Sequence, residues 1–128
     1  MPELKLRQLQ FESDTWKRLL GFIIDENIHL KNRLSEVLKN GFGGNLLEEM
    51  ETFHNRFMKE DQRIGLLRNE IAELDKLLVR EVFEDGRAIK DIDRRLKKFR
   101  NNITTTEEQF GKLKLEFNSY LTENILSE

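Results

Sequence analysis

The chain has 128 residues, a hydrophobic share of 38% against a charged share of 36%, and a net charge of −2. That length suits one domain spanning 1–128, and the near-neutral balance gives no global attraction to nucleic acid or anionic lipid. With no cysteine, disulfides, thiolate metal sites and cysteine nucleophiles are excluded.

Abundant Leu, Glu, Lys and Arg and a single proline, Pro2, mark a chain of long helices. The N-terminal stretch M-P-E-L-K-L-R-Q-L-Q lacks the apolar core of a signal peptide. The longest apolar run, Leu19 to Ile24, falls far short of the ~20 residues that a membrane span needs. A cytoplasmic protein with no membrane contact is expected.

The first element is a helix over 3–39. Leu9, Trp16, Ile23, Leu30 and Val37 recur every seven residues as position d of a heptad, with Leu6, Ser13, Leu20, Asn27 and Leu34 at a. Asn40-Gly41-Phe42-Gly43-Gly44 ends it, because Asn and Gly tolerate the left-handed backbone of a helix terminus. The second helix, 45–84, carries Met50, Phe57, Ile64, Ile71 and Leu78 at a, and Leu46, Phe53, Glu60, Leu67, Leu74 and Glu81 at d. A turn at Glu84-Asp85-Gly86 leads into the third helix, 87–126. There Ile89, Leu96, Ile103, Phe110, Phe117 and Asn124 are at a, and Ile92, Phe99, Thr106, Leu113 and Tyr120 at d.

Thr104-Thr105-Thr106-Glu107-Glu108 resembles a helix start with a capping box. A break there would make four helices. Ile103 and Phe110 keep the same frame across it, however, which favours one continuous third helix. Short connections make sequential helices antiparallel. The expected fold is therefore all-α: an elongated up-down-up bundle of three long helices with coiled-coil packing. In outline it resembles a spectrin-type three-helix repeat, with no shared motif.

Two Glu-x-x-His units, Glu26 with His29 and Glu51 with His54, invite a di-iron reading, since such bundles place this motif on inward faces. The frame sets Glu26 at g, His29 at c, Glu51 at b and His54 at e, so the four ligands do not converge. No metal or other cofactor is expected. No glycine-rich phosphate loop and no nucleophile–histidine arrangement is present, so no catalytic residue and no small-molecule substrate is assigned. An enzyme is not expected.

Three features remain. Asn27 and Glu60 interrupt the apolar seam, and counting outward from the first loop sets residue 27 against about residue 57. Asn at a is a known device for fixing register or oligomer state. Phe11 at f and Phe22 at c lie off the seam and nearly in line on one face of the first helix. With Asn27 they are the candidate partner-contact residues for a protein partner or, by self-association, a homo-oligomer. The alternative is nucleic-acid binding through Arg94, Arg95, Lys97, Lys98 and Arg100, in a run from Arg87 to Arg100 with seven basic and two acidic residues. The acidic end of the second helix lies beside this run and matches much of its charge. Gly21, Gly65 and Gly111, each one residue after an a position, are candidates for close backbone approach or a bend.

Overall fold

The computed structural model describes residues 2–40, 45–81 and 88–126. Three helices account for most of these: α1 (Pro2–Lys39), α2 (Asn45–Glu81) and α3 (Ile89–Leu121), with a π-helical turn at Thr122–Leu126. Of the described residues only Asn40 and Ala88 are non-helical, and no strand occurs among them. At 1.5 Å per residue the helices are roughly 50–57 Å long. The glycines of the first loop, the turn at Glu84–Gly86, Arg87 and the expected last turn of the second helix lie outside the described residues.

α3 passes through Thr104–Thr106 without a break, so the four-helix alternative is corrected to three. The threonines are accommodated in helical geometry. Thr105 Oγ1 donates to the Asn101 carbonyl four residues back at 3.0 Å, and Thr106 is buried at d. The α-helical part of the third helix gives way to π-helical winding at Thr122–Leu126. Thr122 donates its N–H to the carbonyls of Asn118 and Ser119, and its hydroxyl to Asn118 at 2.9 Å, where the winding loosens into the π turn.

Contacts between helices define their directions. Gln10 and Lys17 of α1 meet Asp75 of α2, while Asn27 and Lys31 meet Asp61, so α1 and α2 are antiparallel. Arg56 meets Glu116 and Arg95 meets Glu70, which makes α2 and α3 antiparallel as well. Between the parallel α1 and α3, Lys5 pairs with Asp93, Glu12 with Arg100 and Glu26 with Lys114. Every one of these three pairs spans 88 residues. The topology is up-down-up.

Burial follows the heptad frame closely. Every fully buried residue occupies an a or d position, Leu121 excepted. The a and d residues near the helix ends, such as Leu6, Val37, Leu46 and Ile89, are partly covered, as is Trp16, whose indole N–H donates to Glu12 at 3.1 Å. Charged pairs occupy the flanking positions: e with e between α1 and α2, g with g between α2 and α3, and g with e between α1 and α3. These side chains are partly exposed, so each pair contributes only about 0.2–1 kcal/mol. They direct which faces meet more than they hold the bundle together.

The ring-to-ring contacts lie between α2 and α3. The Phe117 ring meets Phe53 and Phe57 edge-on at centroid distances of 5.2 Å in both cases, and Tyr120 lies 5.7 Å from Phe53. The Arg56 guanidinium covers the Phe53 ring at 5.7 Å.

Candidate functional site

One turn from the aromatic layer, the core becomes polar. Asn27 and Glu60, at a of α1 and d of α2, are 1% and 5% exposed. Asn27 donates from Nδ2 to Asp61 Oδ1 at 2.5 Å, and Lys31 Nζ holds the other Asp61 oxygen at 2.7 Å. Residue 27 thus faces residue 61, about one turn further along α2 than the loop-centred count gives. Helix neighbours are set by their matching side chains, and a symmetric count about the loop does not see those. Asn27 belongs to an internal layer, and its amide bond to Asp61 links two helices of the same chain.

Within that layer, Asn27 Oδ1 and Glu60 Oε2 are buried without a hydrogen-bond partner among the described residues. Burial pushes the Glu60 carboxyl above its ordinary value of 4.5, against the opposing charge and hydrogen bond of Arg63 and the charge of Arg56. Arg63 Nη1 lies 3.5 Å from Glu60 Oε1. Asp75, in the same antiparallel interface, shows the opposite outcome. Burial acts to raise its carboxyl, but hydrogen bonds from Lys17 and Gln10 and the Lys17 charge together hold it below its ordinary value.

Phe11 and Phe22 face outward, 71% and 73% exposed, and Leu4 at 62% continues the same line on α1. Positions 4, 11 and 22 fall within about 20° of one another on a helix of 3.6 residues per turn, and span about 27 Å. They form an apolar stripe on the side of α1 turned away from α2 and α3.

The five candidate nucleic-acid cations are distributed differently. Arg94 pairs with Asp91, Arg95 with Glu70 at 3.1 Å, Lys97 with Asp93 at 3.4 Å and Arg100 with Glu12. Lys98 borders a groove with Leu66, Phe99 and Asn102 and has no carboxylate partner among the described residues. Acids of α1 and α3 as well as α2 neutralise this run.

The two Glu-x-x-His units stay apart. Glu26 binds Lys114 at 2.6 Å, and that hydrogen bond, outweighing partial burial, with the charges of Lys114 and His29, lowers its carboxyl below 4.5. His29, Glu51 and His54 are exposed. No group of three or more metal-ligating side chains converges among the described residues. No described helix is long and apolar enough to cross a membrane. Gly21, Gly65 and Gly111 make no close approach, since a Cβ placed at any of them meets no atom within 4 Å. No family model, curated protein or solved structure matches the chain.

Proposed function

We propose that the chain is a non-catalytic interaction or scaffolding protein of the cytoplasm, with its coiled-coil seams as a stiff support and the outer face of α1 as its contact surface. Self-association into a homo-oligomer is the first expected mode. The observation that supports this reading is the exposure of Phe11 and Phe22, in line with Leu4, on a face that no other helix covers. Aromatic anchors bury large area at small entropic cost, and they dominate contact energies between proteins.

Size-exclusion chromatography with light scattering, over a concentration series, tests it. The wild type is expected to show a concentration-dependent oligomer, and the double variant Phe11→Ser/Phe22→Ser a monomer of unchanged helicity. A wild type that remains monomeric throughout overturns self-association. The alternative, nucleic-acid binding through Arg94, Arg95, Lys97, Lys98 and Arg100, is read by a low-salt anisotropy titration. Binding there would fall steeply with added salt.

A further inference from the structure

Arg56, Lys59 and Arg63 lie along one stripe of α2 at spacings of three and four residues, which brings their side chains to the same edge. Lys112 of α3 faces them across an open groove of about 280 Å³. The apolar floor is Leu113, and the floor's polar member is Glu60. Glu116 engages Arg56 at 2.5 Å, and Arg63 touches Glu60 only at 3.5 Å. Lys59 and Lys112 have no carboxylate partner among the described residues. The lining therefore carries four cations against two carboxylates, an excess that draws anions.

Glu60 makes the groove more selective than a basic patch. Its side chain is 6% exposed, and Oε2 has no hydrogen-bond donor. A buried acceptor left without a donor costs about 1–3 kcal/mol, and Glu60 lines the groove, so a ligand that brings a donor to this carboxylate gains affinity. A fully ionised tetrahedral anion offers only acceptors and would face the carboxylate unfavourably. An oxyanion that keeps one hydroxyl satisfies both sides: its ionised oxygens accept from Lys59, Lys112 and Arg63, and its O–H donates to Glu60.

We infer that the groove between α2 and α3 is a binding site for free hydrogenphosphate, an oxyanion that keeps a hydroxyl at neutral pH. Glu60 is the residue that selects for the ligand's hydroxyl, and Lys59 and Lys112 supply the attraction. This site lies on α2 and α3 and is independent of the Phe11–Phe22 stripe.

Two-dimensional NMR titrations of the whole chain with inorganic phosphate, glycerol phosphate and sulfate, at constant ionic strength and neutral pH, test this site. Phosphate is expected to give saturable shifts at Arg63, Gln109 and Lys112, and sulfate several-fold weaker binding. Glycerol phosphate, whose phosphoryl group is mostly a dianion without a hydroxyl at neutral pH, should bind more weakly than inorganic phosphate, and tighter binding of the ester overturns the role given to Glu60. Lys59→Gln/Lys112→Gln changes two exposed, helix-compatible positions and should weaken phosphate by about tenfold or more. Glu60→Gln, which can both donate and accept, should abolish the preference for phosphate over sulfate while the fold persists. Equal binding of the two anions by the wild type, or a phosphate titration unchanged by the lysine substitutions, overturns the site.

Discussion

The aromatic layer of Phe53, Phe57 and Phe117 and the polar layer of Asn27, Glu60 and Asp61 adjoin each other along α2, with Phe57 and Glu60 about one turn apart. In the first, rings meet edge to face and Phe57 and Phe117 are wholly buried. In the second, two acceptors are buried without donors and Glu60 resists ionisation. Phe53, Phe57, Phe117, Asn27 and Glu60 all occupy a or d positions, so the heptad frame alone does not distinguish the layers. The difference lies in what a substitution removes. In the aromatic layer it removes packing, whereas in the polar layer it can remove a penalty. The aromatic layer should therefore contribute more to stability than the adjoining one, which retains polar groups at a cost.

The sharpest way to break this comparison is Phe57→Ala. Truncating a fully buried ring that packs edge-on against Phe117 should cost about 3–5 kcal/mol in urea denaturation. A loss below about 1 kcal/mol would mean that the layer is not the stability centre.

Glu60→Gln should act in the other direction, and only over part of the pH range. Below the ordinary glutamate value of 4.5 both folded and unfolded chains hold the proton, so Glu60 carries no ionisation penalty. As pH rises, the unfolded chain ionises first, and the fold loses stability until the pH passes the raised value of the folded state. The glutamine variant should therefore be more stable than the wild type at neutral pH and match it at about pH 3. A difference that persists in acid would show that the charge is not the cause.

The smallest effects concern the glycines. Gly21, Gly65 and Gly111 each stand one residue after an a position of their helix. Each has open space around it. Alanine at each should raise the stability of the monomer by about 0.5–1 kcal/mol, read as a shift in denaturation midpoint. A loss at any one would reveal a backbone constraint there.

Much of the fold was legible in the sequence, because a seven-residue repeat states which side of a helix is inside. Asn27 and Glu60 were visible as interruptions for the same reason. The partner of Asn27 was not, since Asp61 sits at an e position and only the packed register brings it opposite. The oxyanion groove was hidden for a related reason. Arg56, Lys59 and Arg63 form a readable stripe, but Lys112 is distant in sequence and joins them only through the alignment of α3 on α2. The change of winding at Thr122 was not legible, because the heptad count continues through Asn124 while the helix passes from α to π there.

The charge ladder between α1 and α3 also guards against error. An apolar seam cannot detect a slip of one whole heptad, because every a still meets an a layer and every d a d layer. The ion pairs can, because their signs are not uniform: lysine stands first on α1 and glutamate at the two later rungs. One slip would set Lys5 against Arg100 and Glu12 against Glu107. The opposite slip would set Glu12 against Asp93 and Glu26 against Glu107. Both misalignments exchange attractions for like-charge contacts. The order of signs works like a parity check, rejecting wrong alignments that the hydrophobic core would accept.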